Sequence, residues 1–180
     1  MTLVDLVVDI FERRGAESYL GEDVTMSEHM LQAAALAEAD GADEALVIGA
    51  LLHDIGHYAD EFSAYSPTDV IDKRHEISGA AILEGLVDPR VVGAVRLHVA
   101  AKRYLCAVEP DYFSRLSAAS VHTLELQGGP MTPDEVTEFE SHDGALDAVR
   151  IRRWDEQAKV VGAKTPPLAH FLPSLRQVML

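Results

Sequence analysis

The stretch Leu46-Val-Ile-Gly-Ala-Leu-Leu52-His53-Asp54-Ile-Gly-His57 decides how this chain folds. An unbroken apolar run with Asp43 before it as a cap and Gly56 after it as a stop predicts a buried helix. Where that helix ends, two side chains of metal-ligand type stand next to each other. Successive helical residues point about 100° apart, so His53 and Asp54 can serve one cation while the second Asp54 oxygen reaches a neighbour. Asp54 is therefore the expected bridging ligand.

Working outward, His29 lies upstream, and His75, His98 and Asp155 lie downstream. One His or Asp at a helix end is commonly a cap or a packed core residue. An ordered set of this kind is a ligand cluster, and its size calls for two metals rather than one. Imidazole with carboxylate suits Fe, Mn or Zn, whereas an all-oxygen set would suit Mg or Ca. No thiolate set competes, because Cys106 is the only cysteine; it is read as a packed thiol.

The rest of the chain reads as helices joined by short loops, with apolar residues recurring at spacings of three and four and no sustained alternation. The fold class expected is all-α, a helical bundle with a dinuclear metal site in its core. A first amphipathic helix spans Leu3 to Arg14 and stops at Gly15 as a glycine-capped end. Thr25-Met-Ser-Glu28 is a capping box that opens an alanine-rich helix carrying His29 and ending at Gly41. Asp60 to Arg74 lacks periodicity and reads as a surface loop leading to His75. Asp88-Pro89 starts a helix that carries His98 and Lys102 on one face, at i and i+4. Pro110 to Gln127 reads as one further helix, and Thr132-Pro-Asp-Glu135 as a second capping box. A helix from about Ala145 to Val160 sets Arg152 and Asp155 on one face, with Arg153 and Lys159 on a solvated, salt-bridged one. Beyond Pro166-Pro167, the tail over residues 165–180 packs back as a short helix.

The 180 residues, 48% of them hydrophobic, fit one domain over 1–180 whose ligand-bearing core is about 15–160. No apolar stretch approaches the roughly 20 residues needed to cross a bilayer, and the N-terminus has no signal-peptide pattern, so no membrane role and a cytoplasmic location are expected. The net charge of -15 argues against nucleic acid, whose phosphates are held by Lys and Arg. An anionic substrate must then be small and must meet a local cationic pocket.

The ordered ligand set resembles the HD-domain superfamily, and further segments narrow the resemblance to the HD-domain mixed-valence di-iron oxygenases of organophosphonate catabolism. Those segments are Tyr19-Leu-Gly-Glu22, Glu28-His29, Ala50 through His57, His98-Val-Ala-Ala-Lys-Arg-Tyr-Leu105, Gln127-Gly-Gly-Pro-Met131 and Arg152-Arg-Trp-Asp-Glu156. The HVAAKRYL and QGGPM segments are the specific ones, since many phosphohydrolases share the HD pair. The resemblance implies two Fe ions, Fe(II)/Fe(III), held by His29, His53, Asp54, His75, His98 and Asp155. It implies that Tyr19 takes an iron position when substrate is absent and that Glu22 lies near a substrate ammonium group. It further implies that His57, Lys102, Ser120 and Arg152 hold phosphonate oxygens, and that O2 is the co-substrate.

The implied reaction is oxidative cleavage of the carbon-phosphorus bond of a 1-hydroxyphosphonate, amino- or trimethylammonio-substituted, to phosphate and a carboxylic acid. The rival reading is a metal-dependent HD phosphohydrolase acting on a small phosphate ester or nucleotide, in which the same ligands activate water. A third is a metal-binding regulatory module without catalysis. Tyr58 and Tyr65 are candidate aromatic walls around a substrate amine. His122, His142 and His170 fit no ligand position and read as surface or capping residues.

Overall fold

A computed structural model of the chain describes residues 2–58 and 68–180. Its described residues are helical, with two isolated bridges, Ser18 to Thr25 and Val87 to Met179, and no strand. The helices are α1 (Leu3–Arg13), α2 (Met26–Ala39), α3 (Glu44–Leu52), α4 (His75–Leu83), α5 (Pro89–Val108), α6 (Ala118–Leu126), α7 (Pro133–Glu140), α8 (Ala145–Gln157) and α9 (Leu168–Val178).

The apolar run behaves as read. In α3 every residue from Ala45 to Leu52 is buried, so the helix has no solvent face and must lie at the centre of the bundle. It packs against α2, α5, α8 and α9. Asp43 caps it by accepting from the Leu46 amide at 3.1 Å. Because the middle of the molecule is helix α3, its C-terminal end delivers His53 and Asp54, 0% and 2% exposed, to a point that four other elements surround.

Both expected capping boxes are present, at Thr25/Glu28 and Thr132/Glu135, and a third at Thr2/Asp5 opens α1. The C-terminal helix α9 packs back on α3 and α1, burying Phe171, Leu175 and Val178. No described helix is long and apolar enough to cross a membrane.

Four local readings need correction. Gly15 is not a left-handed cap: its role is close approach, since a Cβ there would lie 2.3 Å from the Phe11 carbonyl oxygen and 2.9 Å from Ser27 Cβ. The central helix does close before Gly56, but at Leu52, and Gly56 lies inside the 3-10 turn Ile55–Tyr58 that follows instead of supplying the stop. Residues 110–127 are not one helix. A short 3-10 turn (Phe113–Arg115) and an extended Leu116 precede α6, which begins where the Ser117 hydroxyl accepts from the Ser120 amide. Finally, α8 ends at Gln157, three residues short of Val160. The Val160 amide and carbonyl are drawn away into hydrogen bonds with the Gln32 side chain, at 3.0 and 3.1 Å. Of the loop read over Asp60 to Arg74, residues 68–74 contain no helix or strand; Tyr65 lies outside the described residues.

Candidate metal centre

Five elements converge on Asp54. From α2 comes His29, from the end of α3 His53, from α4 His75, from α5 His98 and from α8 Asp155. The two Asp54 oxygens divide these residues into halves. Oδ2 lies 3.5 Å from His29 Nε2 and 3.3 Å from His53 Nε2, and Asp155 Oδ1 completes this half at 3.3 and 3.7 Å from the same nitrogens. Oδ1 lies 3.2 Å from His75 Nε2 and 3.5 Å from His98 Nε2. Two groups of ligand atoms thus share one carboxylate, one group on each side.

The donor chemistry fits metals. His29, His53 and His98 each turn Nδ1 to a backbone carbonyl oxygen, of Ala158, Ala50 and Val95, at 2.9, 2.8 and 2.7 Å. A carbonyl only accepts, so Nδ1 holds the ring proton and Nε2 presents its lone pair inward. Yet His29 Nε2 and His53 Nε2 are only 3.1 Å apart, and His75 Nε2 and His98 Nε2 only 3.0 Å. Lone pairs facing one another at that distance repel unless a cation or a proton sits between them. Asp54 Oδ2, buried with no hydrogen-bond donor of its own, has the same need.

Without metal, protons redistribute in the way such crowding requires. Burial works against an imidazolium at His53, but the carboxylates of Asp54 and Asp155 outweigh it and raise His53 to about 10. On the other side burial, with the neighbouring His57 adding to it, lowers His75 to about 3. Burial opposes ionisation of Asp54 and Asp155 too, but His53 beside the former and Arg152 beside the latter hold both carboxyls well below the usual range. The carboxylates are therefore ready as anions.

Backbone geometry aims several of these groups. Arg74, immediately before His75, adopts a left-handed conformation with φ 53°, which is strained for a residue with a Cβ. Gly56 is packed so closely that a Cβ would fall 1.9 Å from the His75 carbonyl oxygen. Leu20 and Gly21, with φ 47° and 78°, form a tight left-handed turn closed by the Glu22 amide donating to the Tyr19 carbonyl oxygen at 2.7 Å. This turn stacks Tyr19 on His29, ring centroids 3.6 Å apart, and sets its hydroxyl 3.4 Å from Asp155 Oδ1. Burial, reinforced by the charges of Asp155 and Asp54, pushes the Tyr19 phenol well above its usual range.

One cavity opens beside both halves, lined by Tyr19, Asp54, His57, His75, His98 and Asp155 and also by Lys102, Ser120, Thr123, Gln127 and Arg152. Lys102 is 3% exposed and donates to Thr123 Oγ1 at 2.7 Å. Burial, with the Arg152 guanidinium pushing the same way, lowers it to about 7. Arg152 is 5% exposed and held on every side: Nε donates to the Tyr112 hydroxyl at 3.0 Å, Nη2 to Ser120 Oγ at 3.3 Å, and the guanidinium pairs with Asp155 and Glu156. His57 stacks on His75 with centroids 4.1 Å apart, its Nε2 3.9 Å from Asp54 Oδ1.

The structure thus brings Tyr19, His57, Lys102, Ser120 and Arg152 to one cavity with Asp54, His75, His98 and Asp155, while His29 and His53 lie behind its wall. Glu22 does not line that cavity; its Oε1 is buried without a hydrogen-bond partner. Tyr58 does not line it either, and its ring lies under the Arg14 guanidinium, 4.8 Å from the centroid. His122, His142 and His170 belong to neither ligand group, and burial pushes the Cys106 thiol up, as suits a packed thiol. Lys159 corrects the sequence reading. Rather than lying on a solvated face, its side chain is 12% exposed and donates to Ser117, Ser120 and Glu156. Sequence reasoning missed Lys159 because a charge just past a helix end carries no periodic signal of direction, and it missed Glu156, inside α8, because an acid beside Arg152 on a helix reads equally well as a surface ion pair.

An all-α bundle whose central helix ends in a His-Asp pair, surrounded by three further histidines and a second aspartate, defines an HD-type metal-binding domain. The chain belongs to the HD domain family, whose model matches residues 26–135. Among relatives, it is 49% identical over 177 residues, 98% of this chain and 90% of the relative, to the (1-hydroxy-2-(trimethylamino)ethyl)phosphonate dioxygenase (glycine-betaine-forming) of Leisingera caerulea. It is 44% identical over 168 residues, 92% of this chain and 84% of the relative, to the hydroxymethylphosphonate dioxygenase of Gimesia maris. A third relative, an uncharacterized protein of Acanthamoeba polyphaga mimivirus, is 34% identical over 170 residues, 93% of this chain and 78% of its own.

Proposed function

We propose that this chain is a di-iron dioxygenase that cleaves the carbon-phosphorus bond of a 1-hydroxyphosphonate with O2, giving phosphate and a carboxylic acid. The observation that carries the reading is one cavity faced by both halves of the His/Asp cluster and by two buried basic side chains, Lys102 and Arg152. Similarity to two phosphonate dioxygenases over nearly the whole chain supports the oxygenase in preference to a phosphohydrolase. The name of the first of these relatives makes a trimethylammonio-substituted substrate the first candidate.

His29, His53 and Asp155 would hold one iron and His75 and His98 the other, with Asp54 shared. Bound there as an Fe(II)/Fe(III) pair, the metals supply dioxygen activation and redox chemistry. Both atoms of dioxygen appear in the two products, so no external reductant is consumed.

The protein's own contribution is binding, orientation and charge. Lys102, Arg152 and the Ser120 hydroxyl, from residues only 3–5% exposed, receive the phosphonate oxygens where each charged hydrogen bond is stronger than at the surface. Arg152 is fixed by Tyr112, Asp155 and Glu156, so its fork needs little reorganisation when the anion arrives. Tyr19, stacked on His29 with its hydroxyl 3.4 Å from Asp155 Oδ1, is the residue that would take an iron position when substrate is absent. His57, lining the cavity, contributes a ring nitrogen to the same anion. Glu22 does not line the cavity, but its unpartnered buried oxygen stands behind Tyr19 and Leu20, which do, where the cationic end of a substrate extending past them would meet it.

The test is phosphate release from a panel of 1-hydroxyphosphonates by iron-loaded, ascorbate-reduced protein, run in air and without oxygen. Oxygen-dependent release, with the trimethylammonio compound among the best substrates, is expected. Anaerobic cleavage of phosphate esters with Mn or Mg, and no release from phosphonates in air, would overturn the proposal in favour of the phosphohydrolase.

A further inference from the structure

We propose that Lys159 is a positioning residue of the oxyanion site: it acts through Ser120, turning that hydroxyl into an obligate donor toward the cavity. The inference rests on the oxyanion-binding role given above to Ser120 and Arg152.

Lys159 has three N–H donors, and all are used. They go to Ser120 Oγ at 3.0 Å, Ser117 Oγ at 3.2 Å and Glu156 Oε1 at 3.2 Å. Arg152 Nη2 donates to the same Ser120 oxygen at 3.3 Å. A serine oxygen has two acceptor sites and one proton, so two cationic donors fill its acceptor capacity. The proton is then free only for an acceptor. In the structure it points to Glu156 Oε2, over a long 3.4 Å, and that oxygen is already engaged by Arg152. A phosphonate or phosphate oxygen in the cavity is the better acceptor, and a ligand presenting a donor at this position is refused. Lys159 therefore sets the polarity of Ser120 without lining the cavity itself.

The placement of Lys159 has an identifiable cause outside the site. Gln32 in α2, 5% exposed, clamps the amide and carbonyl of Val160 with its side-chain amide. Two residues earlier, the Ala158 carbonyl oxygen accepts from His29 Nδ1. Lys159 sits between these two fixed points. One short segment after α8 thus orients a candidate metal ligand with its backbone and the anion site with a side chain.

The experiment is a double-mutant cycle on the metal-loaded protein, with inorganic phosphate binding measured by calorimetry and KM and kcat measured for the best 1-hydroxyphosphonate. Lys159→Met is expected to weaken phosphate about tenfold and to raise KM similarly, with kcat and iron content nearly unchanged, and Ser120→Ala to weaken phosphate about tenfold. The decisive reading is the double variant. If Lys159 acts through Ser120, Lys159→Met adds no further loss in the Ser120→Ala background. Losses that multiply to about a hundredfold, or a Lys159→Met variant that loses iron instead of phosphate affinity, overturn the inference. Lys159→Arg, which keeps donors in reach of Ser120, is expected to recover part of the phosphate affinity; no recovery also counts against it. The two proposals fail separately. Absence of O2-dependent phosphate release removes the dioxygenase reading, while the phosphate cycle still decides the role of Lys159.

Discussion

Replacing Asp54 by asparagine leaves the shape of the central ligand almost unchanged and removes its charge and one of its two acceptor oxygens. Asp54 is 2% exposed, with Oδ2 3.5 and 3.3 Å from the His29 and His53 nitrogens and Oδ1 3.2 and 3.5 Å from those of His75 and His98. An amide NH2 cannot ligate, so whichever way the new side chain turns, one half loses its oxygen. The halves are unequal. The first keeps His29, His53 and Asp155, whereas the second keeps only His75 and His98 among the described ligand atoms. Changing a group that merely supports a ligand costs about 10–100-fold in metal affinity. Losing a ligating anion exceeds that range, so the half that loses its oxygen should weaken by more than about 100-fold, about 2.8 kcal/mol, and most if it is the second. Elemental analysis of Asp54→Asn should give a fall from two irons per chain to one, the coupled mixed-valence resonance should vanish, and turnover should go with it. A variant with two irons, the coupled resonance and full activity would refute the bridging argument.

Lys102 is lowered to about 7, and bound cations would push it the same way, so substrate-free protein carries it largely neutral above that pH. Phosphate binding should then take up a proton and weaken as pH rises above 7, seen as a buffer-dependent calorimetric enthalpy that Lys102→Met abolishes. Gly56→Ala places a Cβ 1.9 Å from the His75 carbonyl oxygen and 2.6 Å from the Gly79 amide nitrogen, both backbone atoms. It should cost about 3 kcal/mol or more in urea unfolding, and an unchanged midpoint would contradict the packing described. In metal-free protein, His75 is lowered to about 3 while an unfolded histidine titrates near 6.5, so the unfolded chain binds the extra proton between those values. Stability should fall as pH drops through that window. His53, raised to about 10, contributes stability that is complete below about 6.5 and lost as pH rises toward 10. Thermal unfolding of chelator-treated protein should therefore show a maximum near neutrality, and a flat profile on the acid side would count against the burial of a neutral His75.

Much of the site was legible because its ligands ride on regular elements. His98 and Lys102, at i and i+4, both prove buried on the inward face of α5, and Arg152 and Asp155, at i and i+3, meet as an ion pair. The capping boxes fixed the start of α2, and with it the position of His29 in the first turn. Less was legible where a residue leaves a helix. Lys159 was read as solvated because direction beyond a helix end is set by tertiary hydrogen bonds, here those of Gln32 to Val160. Residues 110–127 were read as continuous because the break comes from the backbone at Leu116 and the Ser117 cap, not from a Pro or Gly.

Local chemistry in the sequence determined the helical class, the central buried helix and the residue types that gather at its end, since apolar period and cap signals act over a few neighbouring residues. Only the tertiary structure decided which oxygen of Asp54 serves which histidine pair. The same is true of Tyr19 stacking on His29, of Glu22 lying off the cavity, and of Arg152 and Lys159 converging on Ser120 in another helix. These are relations between separate elements of the chain. They follow from how helices pack around α3, which no short window of sequence encodes.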